Sequence, residues 1–271
     1  MPRTNQLPDF GRLSSISAVI ILAYGLVPFV QIPAQSIVIR FPWAVFNFDL
    51  DFGSIVSILV AFLAAFGADW LIQTHPAKSN STFIQHGLVP ALTAWLIGVP
   101  LSFLEVGIEW WIVVALGGIL LAFILVAEFL VVDPDSESHL PASLGLTAIS
   151  FALFLVLAIA LQASEMRLFL LLPALSVTVF FLVSRSLYLQ TSGDWNWFWS
   201  FGVAYFVAQV ALGLHYLPIQ PLSFGLVLVG FAYPLTLLII AYKQGKRGLN
   251  LLIEPLILFI FLFLLALITN G

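Results

Sequence analysis

The feature that most constrains the fold of this chain is a run of forty-eight residues, 195–242, that contains no Asp, Glu, Lys or Arg. An α-helix needs about 20 apolar residues, at ~1.5 Å of rise each, to cross the ~30 Å hydrocarbon layer of a bilayer. The run is long enough for two crossings, with a turn at Pro218 and Pro221. Comparable uncharged runs cover residues 13–39, 52–68, 79–104, 110–127, 138–164, 168–184 and 255–271. The sequence therefore predicts an integral membrane protein that crosses the bilayer many times.

The composition agrees with this prediction and excludes several classes of site. Hydrophobic residues make up 62% of the chain and charged residues 8%, whereas soluble domains carry about 25% charged residues. Cysteine is absent, which excludes disulfides and thiolate chemistry. The chain has no basic run, no metal-ligand spacing and no nucleophile or phosphate-binding motif. We therefore expect the lipid bilayer as the main partner, no nucleic acid, no cofactor and no metal.

Nine crossings account for all of the uncharged runs. They are predicted at about residues 14–31, 53–74, 86–104, 109–132, 142–162, 167–188, 197–216, 221–242 and 251–269. The predicted fold is an all-α bundle of about nine transmembrane helices. These helices form a single transmembrane domain over residues 1–271.

The basic residues predict which helix ends face the cytoplasm, because cytoplasmic loops are enriched in Lys and Arg. With the N-terminus inside, Arg40 and Arg167 lie outside the membrane. The other seven of the nine basic residues lie inside, namely Arg3, Arg12, Lys78, Arg185, Lys243, Lys246 and Arg247. This distribution predicts a cytoplasmic N-terminus and an outer C-terminus.

The first outer loop, residues 36–52, has the pattern of a short β-hairpin. Phe46, Phe48 and Leu50 alternate with polar residues, which is the period of a strand with one wet face. The β-branched segment 36–41 precedes it and could pair with it across residues 42–44. We expect a hairpin on the outer surface. Asn47 and Asp49 share its wet face with Asp51, and we expect that face to be solvated rather than to bind Ca²⁺.

A second interpretation of the bundle is four tandem helical hairpins plus a ninth helix. Short motifs at the cytoplasmic ends of the even-numbered helices begin at Ala68, Ala127, Ser184 and Ala241, which are separated by 59, 57 and 57 residues. Parallel repeats of this kind occur in transporters. The alternative is that any two membrane-length helices with short loops recur at about this period.

Three charged residues, Asp69, Glu128 and Arg185, occupy corresponding positions near the cytoplasmic ends of the second, fourth and sixth predicted helices. Charge in lipid is costly, roughly 2.5–3.5 kcal/mol at mid-membrane on insertion scales. We expect Arg185 to pair with Glu128, Asp69 or both, and Gln73, one turn beyond Asp69, to face the same way. The alternative is that each side chain extends separately to the lipid headgroups.

Two histidines, His75 and His86, bracket the second cytoplasmic loop. Together with Asp69, Glu128 and Arg185 they could line a cytoplasmic pocket that binds a phosphate headgroup or relays protons. Histidine at a membrane boundary is also ordinary, and we favour that interpretation. We predict no catalytic residue.

The chain resembles uncharacterised bacterial polytopic membrane proteins that are described as a domain of unknown function. The resemblance consists of the β-like outer loop and a helix that ends in the residues 67–71 (Gly-Ala-Asp-Trp-Leu), followed by His75 and Pro76. It implies a location in the bacterial cytoplasmic (inner) membrane and brings no activity with it.

Three classes of function are compatible with these observations. The first is a non-catalytic membrane component, such as a subunit of a larger complex, because few polar residues lie within the predicted spans. The second is a small-solute or lipid transporter, favoured by the charged residues and by Pro90, Pro173 and Pro234 inside predicted helices. The third is an intramembrane enzyme on a lipid or isoprenoid substrate, which would use Asp69, His75 or His86. We expect the first, and therefore lean towards a protein that is not an enzyme.

Overall fold

The structure, a computed structural model, describes residues 8–30, 35–41, 44–50, 52–75, 83–164, 167–191 and 195–270. Its helices are α1 (Phe10–Leu26, followed by a 3₁₀ turn Val27–Phe29), α2 (Phe52–Ile72), α3 (Phe83–Phe103), α4 (Ile108–Leu130), α5 (His139–Ala163), α6 (Leu168–Gln190), α7 (Trp197–His215), α8 (Pro221–Lys243) and α9 (Leu249–Asn270). The all-helical prediction is confirmed, and the observed helix bounds lie within a few residues of the predicted ones.

Among the described residues, eight helices are long and apolar enough to cross a membrane. In α3 the apolar stretch is shorter and covers His86–Ser102. The structure therefore gives eight candidate spans where about nine are predicted, and a ninth crossing stays a prediction. Uncharged runs produce these helices because a backbone in lipid must satisfy its own hydrogen bonds.

Two short strands lie between α1 and α2. β1 (Gln35–Phe41) and β2 (Ala44–Leu50) pair antiparallel, with Gln35 opposite Leu50 and Phe41 opposite Ala44. The connecting residues 42–43, residue 51 and the strand side chains lie outside the description. The position of this segment on an outer surface, and the solvated face at Asn47, stay predictions.

The chain separates into two compact units, Met1–His139 and Leu140–Gly271. Unit 1 contains α1–α4 and unit 2 contains α5–α9, so the boundary falls between predicted helical hairpins two and three. Each unit is described separately below. The single domain and the duplication of hairpins stay predictions.

In unit 1, glycines let the helices approach closely. The α2 helix packs against α3, and α4 packs against both α1 and α3. A β-carbon on Gly67 would lie 2.7 Å from Ile16, and one on Gly117 would lie 2.8 Å from Ile97. Small residues of this kind provide close packing between membrane helices. The buried core between them consists mainly of Ile20, Val60, Ala64, Leu71, Leu121 and Leu125.

In unit 2, α8 is the most deeply buried helix. Fourteen of its 23 residues are buried, and α6, α7 and α9 pack around it. The α5 helix also contacts α8, because the ring of Phe151 lies 4.9 Å from that of Tyr233. On the opposite flank, Phe231 contacts Phe259 of α9 at 5.0 Å. The α8 helix thus forms the centre of this unit.

We predict that Gly117→Ala destabilises unit 1. The added methyl group would lie within 3.0 Å of Cγ1, Cδ1 and Cγ2 of Ile97, and a β-branched side chain is stiff and cannot move aside easily. Overpacking of this kind costs about 1–3 kcal/mol. The measurement is reversible unfolding in mixed micelles. Gly202→Ala, where no atom lies within 4 Å of the new carbon, is the matched control, and equal stability of the two variants would contradict the packing argument.

Candidate functional site

A buried contact between two ionisable side chains in unit 1 joins His86 of α3 to Glu128 of α4. The Nδ1 atom of His86 lies 3.1 Å from Oε2 of Glu128. The side chain of Glu128 is fully buried, and that of His86 is 9% exposed. A buried carboxylate is costly unless it is paired, so the imidazole stabilises Glu128 where it lies. An intramembrane ionisable pair of this kind is the first candidate for a functional site.

The packing of α3 on α4 positions this pair. His86 lies in the first turn of α3 and Glu128 in the last turn of α4, so the antiparallel helices bring them to the same end of unit 1. The close approach at Gly117 and Ile97 fixes the separation of the two helices. The neighbouring Phe129 is 2% exposed and belongs to the apolar core of unit 1.

His75 lies beyond the end of α2, beside the same helix ends. Its ring meets the ring of Phe129 edge-on, with centroids 4.6 Å apart. Burial lowers the pKa of His75 below its ordinary value of 6.5, Asp133 partly offsets this, and His86 lowers it further. The neutral form of His75 is therefore favoured in the folded protein.

Asp69 and Gln73 form a second polar contact at the end of α2. Nε2 of Gln73 donates to Oδ2 of Asp69 over 2.8 Å, so the two side chains lie together at the end of α2. The two residues are four apart on one helix face. Asp69 is partly exposed and Gln73 is exposed, unlike the buried Glu128.

Arg12 of α1 reaches the same end of α2. Its Nη1 donates to the backbone carbonyl of Trp70 over 2.8 Å, and its guanidinium lies 4.8 Å from the Trp70 ring centroid. It also lies 3.7 Å from Asp9, whose side chain caps the start of α1. A cation at a helix C-terminus is favourable because the last carbonyls carry partial negative charge.

In unit 2, Arg185 is buried in α6 with 1% exposure. Its guanidinium lies 5.6 Å from the centroid of the Tyr188 ring, a cation–π contact. Tyr188 lies 5.0 Å from Trp195, which stacks on Trp197 at 4.8 Å. Arg185 thus joins an aromatic series at one end of this unit.

The structure brings together some of the predicted site residues. Glu128 contacts His86, and Asp69 contacts Gln73. The predicted pairing of Arg185 with Asp69 or Glu128 involves both units and stays a prediction. Within the described part of the chain, no group of three or more His, Cys, Asp or Glu side chains is arranged to hold a metal ion.

Glu254 is a polar residue that the sequence interpretation overlooked. It lies in α9 and is exposed. The sequence does mark this residue, because Glu254 is the only charged residue between Leu249 and Asn270. The direct contact of His86 with Glu128 was also not anticipated as a pair, although both were placed in one pocket. No local motif marks it, since the two residues are 42 positions apart.

The long apolar helices and the paired polar groups at their ends fit a multi-pass membrane protein. Residues 32–269 match the family described as a protein of unknown function, DUF5656. This match spans most of the chain, and the chain belongs to that family. The predicted resemblance to an uncharacterised family is therefore confirmed. No curated protein and no solved structure matches the chain.

We predict that His75 makes stability depend on pH. Because folding lowers its pKa, the unfolded chain binds more protons as the pH falls through 6.5, and stability decreases towards acid pH. His75→Gln should flatten this dependence between pH 7.5 and pH 5 in detergent unfolding. Thr74→Ala, which changes a neighbouring group that does not titrate, should keep the wild-type slope. An unchanged slope in His75→Gln would show that burial of the imidazole has no such effect.

We also predict that His86 and Glu128 are energetically coupled. His86→Leu removes a hydrogen-bond partner of a buried carboxylate, which costs about 1–3 kcal/mol. The double variant His86→Leu, Glu128→Leu should recover part of that loss, because neither polar group is then left without its partner. A double-mutant cycle of unfolding free energies measures the coupling. Additive single effects would contradict it.

Proposed function

We propose that this protein is a non-catalytic component of the bacterial inner membrane, acting as a subunit or assembly partner in a larger membrane complex. The proposed topology has nine crossings, with the N-terminus in the cytoplasm and the C-terminus outside. The positive-inside distribution of seven basic residues against two supports this orientation. The observation that carries the partner role is the surface of α9.

The α9 helix presents an unusually large apolar surface. Of its 22 residues, all of them described, Pro255 and Ala266 are the only buried ones. Its packing stripe includes Phe259 and Leu262, which face α8. Exposed positions cover the remaining circumference, including Ile257 at 60%. Most of the apolar surface of α9 is therefore available for contact with another apolar molecule.

Glu254 favours a protein partner over lipid as the molecule that covers the exposed surface of α9. It lies five residues after Leu249, about 7.5 Å along the axis of α9 at ~1.5 Å of rise per residue. Its side chain is exposed, and exposed charge within a membrane helix is unfavourable in lipid. A partner helix with a hydrogen-bond donor at this depth would compensate that charge, whereas acyl chains would not.

Photo-crosslinking tests the partner role. A photoreactive phenylalanine analogue at the exposed Phe261 should give a discrete protein adduct in native membranes. The same analogue at Phe259, whose ring packs on Phe231, is the matched control on the same helix and should give none. Glu254→Gln should weaken the adduct at 261, because the compensating contact is lost. Adducts with lipid alone at position 261 would contradict the proposal.

Transport of a small solute or lipid is a second candidate, and the buried contact of His86 with Glu128 favours it. An imidazole and a carboxylate in contact within a membrane bundle can exchange a proton between them. Coupling of proton movement to a solute is one use of such a pair. A transporter would lose uptake in Glu128→Gln while the variant stayed folded, whereas an assembly partner would keep its complex.

A further inference from the structure

A groove runs along the outside of unit 1 between α2 and α3. It has a volume of about 350 Å³, within the range of roughly 300–1,000 Å³ typical of small-molecule sites. Its lining is apolar throughout and consists of Ile58, Ala61, Phe62, Ala65, Gly87, Leu88, Ala91 and Trp95. A groove without polar lining suits a hydrocarbon chain and does not suit a polar solute.

The shape of the groove follows from the alternation of small and large residues. At its floor the helices approach closely, since a β-carbon on Gly87 would lie 3.2 Å from that of Ala65. Larger side chains form the walls, and Phe62 is 59% exposed at the rim. The floor is thus narrow where Gly87 meets Ala65, and small residues line it.

The α2 face of the groove leads to a polar end. Ile58, Phe62 and Ala65 recur every three or four residues, and the same spacing continues to Asp69 and then Gln73. Asp69 lies in the last turn of α2, which ends at Ile72. A headgroup attached to a chain in the groove would therefore lie beside the Asp69 carboxylate.

We propose that this groove binds an acyl chain of a phospholipid whose headgroup carries a primary ammonium, with the ammonium on Asp69. Charge complementarity decides between headgroups. A carboxylate has about four acceptor sites, and Gln73 occupies one of them. An ammonium offers three donors to the others, whereas a hydroxyl-only headgroup offers no positive charge.

The neighbouring cation supports the same assignment. Arg12 donates to the carbonyl of Trp70, the residue after Asp69, so a guanidinium lies at the same end of α2. A zwitterionic headgroup has a phosphate close to its ammonium, and the two opposite charges of this helix end match that pair. The inference goes beyond the proposed function, and it stands whether or not α9 binds a partner.

Native mass spectrometry of the full chain in mild detergent tests the site. The probes are phosphatidylethanolamine, phosphatidylglycerol and phosphatidylcholine with identical acyl chains. We expect phosphatidylethanolamine to bind best, and Asp69→Asn to reduce its advantage about two- to fivefold, the range for an exposed charge pair. Glu109→Gln, which removes an exposed carboxylate near the start of α4, is the charge control and should leave the preference unchanged.

Filling the groove tests the acyl-chain part of the proposal. Ala61→Phe should lower binding of all three lipids about tenfold, because a ring would occupy the place of several methylenes. Ala115→Phe, at an exposed position on α4, is the matched control. Equal binding of the three lipids, an unchanged preference in Asp69→Asn, or full binding by Ala61→Phe would overturn the proposal.

A test on the wild-type chain removes dependence on the folding of any variant. Phosphatidylethanolamine with a photoactivatable acyl chain should label Phe62, Leu88 or Trp95, as read by peptide mass spectrometry. Labelling spread over all exposed helices would overturn the site. Absence of any lipid adduct at these three residues would equally overturn it.

Discussion

The hydrocarbon core of a bilayer offers no hydrogen-bond partner, and the structure follows from that constraint. In a helical span each backbone group finds its hydrogen-bond partner within its own segment, and the described spans are helical. The small polar side chains obey the same requirement. Hydroxyl groups donate to the carbonyl one turn earlier, as in Ser57 to Gly53, Thr93 to Val89, Thr147 to Ser143, Ser150 to Leu146, Ser186 to Leu182 and Thr236 to Ala232. These hydroxyl groups thus find their hydrogen-bond acceptors within their own helices.

Groups that cannot be satisfied within one helix lie near helix ends and contact neighbouring elements. Glu128 reaches across to His86, Arg12 reaches across to α2, and Lys243 of α8 donates to Asn196 before α7. Each contact joins residues more than forty positions apart, at the meeting ends of two consecutive helices. Most of the described ionisable groups and most of the long-range polar contacts therefore lie at the ends of the helices. The candidate sites lie there for that reason.

The helices could be predicted from the sequence, whereas the pairing of polar residues could not. The uncharged run 195–242 defined α7 and α8 to within about a residue, because charge is the strongest barrier to insertion. The contact of His86 with Glu128 depends instead on how far α4 slides along α3, which is set by side chains such as Ile97 against Gly117. The helical period of the sequence carries no information on the position of α4 along α3. Glu254 directly precedes the uncharged run 255–271. A prediction built on uncharged runs therefore does not single it out.

The turn between α8 and α9 has a further consequence for the behaviour of unit 2 in different lipids. Gly245 and Gly248 adopt left-handed conformations with φ of 79° and 66°. The amides of Gly245 and Lys246 donate to Tyr242 and Ala241, the pattern of a Schellman cap. The cap holds Lys246 and the following Arg247 in a folded turn instead of a loose loop. A cation beside an anionic leaflet gains about 1 kcal/mol, so wherever this turn meets such a leaflet the surface charge of the membrane contributes to the stability of this helical hairpin.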